Sequence, residues 1–180
     1  MSDPRIAPGG RADVGLLTWG FGRIAGRVAG TQPPNLFMTV GRHPGLFRAW
    51  LWFAGRLMPG GKLPRRDTEL VILRVAHLRR CEYEFDHHVR LGRRVGVDAD
   101  DVSRVVEGPG ADGWTPRERA ILSAVDELHT ARALADETWA ALGKHLDERR
   151  LIELVFLVGH YEMLATAIAA LRIQPDGPRS

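Results

Sequence analysis

From Pro44 to Ile173, apolar residues recur at three- and four-residue intervals, and the pattern breaks only at proline, glycine or a capping side chain. That spacing lines one face of an α-helix, and no stretch sustains the strict alternation a strand needs. Pro44 opens a helix to about Met58, with Leu46, Trp50, Phe53 and Leu57 on one face. After Pro59–Gly60–Gly61 a second helix is predicted from about Pro64 to Arg79, and a third from a break near Cys81 through Leu91, ending at Gly92 or Gly96. Asp98–Asp101 caps a short helix to Glu107, and Thr115-Pro-Arg-Glu118 is a capping box that opens the helix carrying Ile121, Leu122, Val125 and Leu128. Asp136 is expected to cap a helix over residues 137–146, and Asp147 the last helix, through about Ile173. That last helix is apolar on most sides and is expected to be the central one. Before Pro44, residues 12–29 are expected to form a helix, weakened by five glycines from Gly15 to Gly30, and a short helix follows from Leu36. The expected fold is all-α, a multi-helix bundle of about seven or eight helices.

Composition narrows the class. The chain has 180 residues, 44% hydrophobic and 26% charged, the profile of one globular domain over residues 1–180 with a flexible lead at 1–11. Its longest unbroken apolar run, Ala49–Ala54, is far short of the ~20 residues that cross a bilayer, so no membrane partner is expected. The start, MSDPRIAPGGRAD, has no basic-then-apolar signal pattern, and a cytoplasmic location is expected. A single cysteine, Cys81, excludes an internal disulfide. Lys and Arg exceed Asp and Glu by 25 to 22, and the basic stretches Lys62–Arg66, Arg79–Arg80 and Arg90–Arg94 do not interleave with aromatics. No nucleic-acid partner is therefore expected.

Chemistry concentrates in ELVILRVAHLRRCEYEFDHH, Glu69 to His88. On a helix, positions 81, 84 and 88 fall within about 60° of one another, so a thiol, a carboxylate and an imidazole share a face. Cys81 lies at the helix N-terminus, where unpaired N–H groups favour an anion and tend to lower a thiol's pKa. Glu84 and His88 are i,i+4 neighbours, so the carboxylate can orient the ring. Glu69, on the preceding helix, can project toward His88 and form an acid–base unit with it. Glu69, Cys81, Glu84 and His88 are the catalytic candidates. Tyr83 and His87, together with His160 on the last helix, are candidates for substrate contact, although His160 is equally read as a core histidine. His87 and His88 diverge by about 100° on a helix and no HExxH is present, so no metal site is expected. Cys81-x-x-Glu84 lacks the second sulfur of a redox CxxC, which excludes an internal dithiol–disulfide cycle.

The run RRDTELVILRVAHLRRCEYEFDHH, with VGHYEMLATAIAAL further on, resembles the carboxymuconolactone decarboxylase / alkyl hydroperoxidase D-like family over about residues 34–172. The resemblance implies an all-helical, alkyl hydroperoxidase D-like bundle that assembles as a homo-oligomer (dimer, trimer or hexamer). It also offers a use for the aromatic surface of Trp50, Trp52 and Phe53, which core packing equally explains. In the peroxidase branch a glutamate and a histidine relay protons to a cysteine pair; Glu69, Cys81 and His88 match those positions, and Glu84 replaces the second cysteine. The decarboxylase branch carries Glu-aromatic-x-x-His, which Glu84–His88 resembles, and needs no cofactor.

Three functions remain open from the sequence. The first is a cofactor-independent lyase or isomerase that uses Glu–His proton transfer on a small, anionic organic acid or lactone. The second is a thiol-dependent peroxidase at Cys81 whose sulfenic acid is resolved by an outside thiol. The third is a non-catalytic oligomeric binding protein.

Overall fold

The computed structural model describes residues 3–177, which contain nine helices and no strand. Residues 1 and 2 of the expected lead lie outside the described residues. The chain forms two compact units, Arg56–Ala165 and the remainder, whose borders fall inside two long helices.

In the first-named unit, α4 (Arg65–Leu78), α5 (Glu82–Arg93), α6 (Ala99–Glu107), α7 (Pro116–Thr130) and α8 (Asp136–Gly143) follow in order, and α9 (Glu148–Leu171) begins there. Helix α4 packs against α5, α6 and α7. Leu70, Leu73, Val97, Val105, Ala111, Trp114 and Leu122 form one buried cluster, with Phe85, Val89 and Val102 against it. The interior helix is α4 rather than α9, because every residue from Asp67 to Ala76 is buried. Its polar residues hide this in the sequence. Asp67 is paired by Arg117, and Arg74 makes two bonds of 2.7 and 2.8 Å to Asp126 and one of 2.8 Å to the Val105 carbonyl. Buried charges persist in a core only when so paired. Arg74 also leaves no room beside it: a Cβ on Gly108, at φ 112°, would meet its Nη2 at 2.9 Å.

Helix α9 divides its apolar residues between the two faces. Leu151, Leu154, Leu157, Val158 and Tyr161 are buried, while Ile152, Val155, Phe156 and Met163 are exposed. Among the described residues it alone is long and apolar enough to cross a membrane. Counting unbroken apolar runs misses it because the polar residues His160 and Glu162 interrupt the pattern. Helix α8 starts at Asp136 instead of being capped by it, and it stops at Gly143 instead of reaching 146. Glu127 of α7 explains the start: it accepts the Ala135 N–H at 3.0 Å and also the Thr138 hydroxyl, and so supplies the cap from another helix.

The other unit holds α1 (Arg11–Ala29), α2 (Asn35–Val40) and most of α3 (Pro44–Leu57). Helix α1 is kinked at Gly15, where φ is 79°. Phe21, Phe37, Phe47 and Trp50 form an aromatic cluster with centroids 5.6–6.3 Å apart. Trp52, expected beside Trp50, is 68% exposed, because neighbours two apart on a helix point away from each other. The lead is tied down by Arg5 N–H to the Leu171 carbonyl and Gly9 N–H to that of Met38, both 3.0 Å.

Candidate functional site

A single backbone device sets Cys81 in place. Helix α4 ends at Arg79, and Arg80 turns left-handed with φ 51°. The Cys81 N–H then bonds the Ala76 carbonyl at 2.8 Å, and the Arg80 N–H bonds that of His77 at 3.0 Å. These are the two bonds of a Schellman stop. Glycine usually occupies the left-handed position, and an arginine there is strained by about 1 kcal/mol. Cys81 is at once the end of that stop and the N-cap of α5. The link is as short as two helices allow, and it aims α5 back along α4.

Antiparallel packing then brings Glu69 of α4 to His88 of α5. His88 Nδ1 donates to Glu69 Oε2 at 2.7 Å, and the other carboxylate oxygen accepts from Arg65 at 2.9 Å. Glu69 is wholly buried and His88 only 5% exposed. The ring's partner is thus Glu69, across the helix interface, and not its i,i+4 neighbour Glu84. With Nδ1 committed, Nε2 is the ring atom left to exchange a proton.

Glu84 pairs with Cys81 instead, accepting from the thiol. Its Oε2 is buried with no hydrogen-bond partner among the described residues. Burial lifts the Glu84 carboxyl to about 8, with the Glu162 charge adding to it and the thiol opposing. Burial also pushes the Cys81 thiol up to about 12, helped by the Glu84 charge. The expectation of a lowered thiol pKa at the helix N-terminus is therefore corrected. The nearby Glu84 N–H and Arg79 charge do pull the thiol down, but desolvation and a facing carboxylate outweigh them.

Tyr161 of α9 closes the group. Its buried ring lies edge-on to His88 at 5.2 Å, and both Glu84 and Glu69 act on its hydroxyl, which burial pushes well above the ordinary tyrosine value. His160 packs edge-on against Tyr161 at 5.2 Å, and burial lowers its ring to about 4, so it is one residue removed from the acid–base groups. His87 is half-buried against the His88 ring at 5.8 Å, and burial lowers it to about 4. Tyr83 is half-buried on the first turn of α5. Arg65 and Tyr161 were not among the expected site residues. Arg65 was legible as an i,i+4 partner of Glu69, while Tyr161 was visible only as the neighbour of His160. Among the described residues no cluster of three or more His, Cys, Asp and Glu is arranged to hold a metal ion.

Residues 44–127 match the model of the Carboxymuconolactone decarboxylase family. Over these residues the chain is similar to that family. The match includes Glu69, Cys81, Glu84 and His88, but ends before Tyr161. Solved structures share the fold. The debrominase Bmp8 is 22% identical, with TM-score 0.80, over 94% of this chain and 91% of its own. A cysteine-to-alanine variant of Bmp8 in complex with 2,3,4-tribromopyrrole is 21% identical, with TM-score 0.80, over 94% of this chain and 90% of its own. A peroxidase-related alkylhydroperoxidase AhpD core protein of Ralstonia eutropha JMP134 is 17% identical, with TM-score 0.84, over 97% of this chain and 93% of its own. No curated protein matches the sequence significantly.

Proposed function

We propose that this chain is a cofactor-independent lyase or isomerase that moves a proton on a small organic acid or lactone. The buried Glu69–His88 bond of 2.7 Å, one face along from a Glu84 carboxyl held protonated to about pH 8, carries this reading. One helix face thus offers a base whose ring is held by a carboxylate, and an acid kept neutral by its surroundings. His88 Nε2 takes the proton from the carbon beside a carbonyl, and Glu84 donates to the carbonyl oxygen as it gains charge. Where carbon dioxide is lost instead, the bond to the carboxylate carbon breaks, the same acid stabilises the enolate left behind, and His88, protonated beforehand from solvent, delivers the proton that the carbon takes up. The family's decarboxylase name supports that class of reaction. The test is deuterium uptake at the carbon next to the carbonyl of small oxo acids and lactones, followed by NMR. His88→Gln should slow it by at least ~100-fold, while Cys81→Ser retains most of the rate. An unchanged rate in His88→Gln ends the proposal.

A second reading has one observation in its favour. Cys81 shares its proton with Glu84, and a fold relative was crystallised as a cysteine variant in complex with a halogenated pyrrole. Above about pH 8, where Glu84 is ionised, it would accept the thiol proton as sulfur attacks a hydroperoxide and the O–O bond breaks, then pass that proton to the leaving oxygen, giving a sulfenic acid and an alcohol; an outside thiol then reduces the sulfur. Peroxide-dependent trapping of a sulfenic acid at Cys81 supports this reading, and its absence removes it.

A further inference from the structure

A surface helix ordinarily turns its apolar stripe inward. Helix α1 does the reverse. Past its kink at Gly15, the side turned inward carries Thr18, Gly22 and Gly26, all buried. A Cβ on Gly22 would run into the Met38 side chain of α2, and one on Gly26 would meet the Gln32 carbonyl at 2.6 Å, so the glycines let α1 lie close to the chain that follows it. Positions 17, 21, 24 and 28 fall within about 60° of one another on the opposite side. Leu17 there is 86% exposed, Ile24 59%, Val28 57% and Phe21 42%. Arg23 and Arg27, both exposed, run along one border of this stripe, and the Arg23 guanidinium lies 4.9 Å from the Trp19 ring centre. The only carboxylate of α1, Asp13, is spent on the Gly10 N–H at 2.8 Å and on Arg42 at 3.2 Å. The unit that holds α1, Met1–Gly55 with Thr166–Ser180, has eight arginines, three aspartates and neither lysine nor glutamate, in a chain whose net charge is only +3. The positive excess of the whole chain therefore sits in this unit.

We propose that α1 lies on an anionic membrane surface, with Leu17, Phe21, Ile24 and Val28 sunk to the boundary of headgroups and acyl chains and Arg23 and Arg27 against the lipid phosphates. Crossing a bilayer needs a long apolar run, which α1 lacks; lying on one needs only an apolar face edged by cations. Both parts of that requirement are met here. The aliphatic stripe supplies area to bury, and the arginines supply attraction to acidic headgroups. Arginine also suits the boundary, because its stem packs on apolar surface while its head stays among the phosphates. A second α1 is a poorer partner, since it would bring the same arginines and no free carboxylate to meet them. The inference is independent of the reaction proposed at His88.

The experiment is flotation of the full chain with vesicles of phosphatidylcholine alone and of phosphatidylcholine mixed with phosphatidylglycerol. The chain should float with the mixed vesicles, stay behind with the neutral ones, and come off the mixed ones at about 1 M salt, where charge is screened within about 3 Å. Arg23→Gln with Arg27→Gln should weaken binding by about 10–30-fold, and Leu17→Ser with Ile24→Ser by at least ~30-fold. These side chains are exposed, so both variants should keep the parent's Tm. Arg93→Gln with Arg149→Gln removes the same charge from exposed positions of the other unit and should leave binding unchanged. Equal binding to neutral vesicles, or an equal loss in the Arg93 and Arg149 control, overturns the inference. Failure to float also overturns it; light scattering that then shows a dimer, parted by Leu17→Ser with Ile24→Ser, assigns the stripe to a second copy instead.

Discussion

Glu84→Gln should stabilise the protein in alkali and leave it unchanged in mild acid. Burial lifts this carboxyl from 4.5 to about 8, so the folded chain holds a proton that the unfolded chain has released. The stability tied to that proton is complete below pH 4.5 and is lost as the pH rises through about 8. At about 1.4 kcal/mol per unit, the interval is worth roughly 5 kcal/mol once the group ionises. Water drawn in beside the new charge relieves part of this, leaving about 2–4 kcal/mol. Glutamine has nearly the same shape and nothing to ionise, so the variant avoids the loss. For a chain of this size, about 1 kcal/mol moves Tm by roughly 2–4 °C. The expected gain is then about 5–15 °C at about pH 9 and none at about pH 5. Calorimetric melts of both proteins at the two pH values decide it. An equal gain at both, or a lower Tm in alkali, would refute the view of Glu84 as a carboxyl that folding keeps neutral.

The acid side has a counterpart in His160. Burial lowers its ring from 6.5 to about 4, so its cation is disfavoured in the fold, and stability present above pH 6.5 drains as pH falls toward 4. His160→Asn should therefore reduce the drop in Tm between neutral and mildly acid solution, read in the same melts. Arg80→Gly relieves a left-handed residue and should raise stability by about 1 kcal/mol, seen as a higher urea midpoint at unchanged slope. Arg74→Ala strands Asp126 and the Val105 carbonyl, and should cost about 3–5 kcal/mol in the same titration; a cost below ~1 kcal/mol would mean that the pair is exposed to water.

Local chemistry was legible in the sequence wherever it was self-contained. The capping boxes at Asp98 and Thr115 stand where side chain and helix start are only three residues apart. The start of α8 was misread because its cap, Glu127, arrives from a different helix. The depth of α4 was hidden for the same reason: Asp67, Glu69 and Arg74 look like surface residues until Arg117, His88 and Asp126 are brought to them by tertiary packing. At the site, spacing put Cys81, Glu84 and His88 on one face, but it assigned His88 to Glu84 because one-dimensional reasoning favours the i,i+4 neighbour. The antiparallel return of α5 onto α4 decides for Glu69. That return depends on Arg80, whose left-handed turn no glycine advertises.

Main-chain atoms alone seat position 81, because both bonds of the stop run between peptide groups. The socket is thus indifferent to the side chain it carries. A hydroxyl, a selenol or a bare methyl would be delivered to the same spot, and the scaffold can exchange its reagent there without being rebuilt.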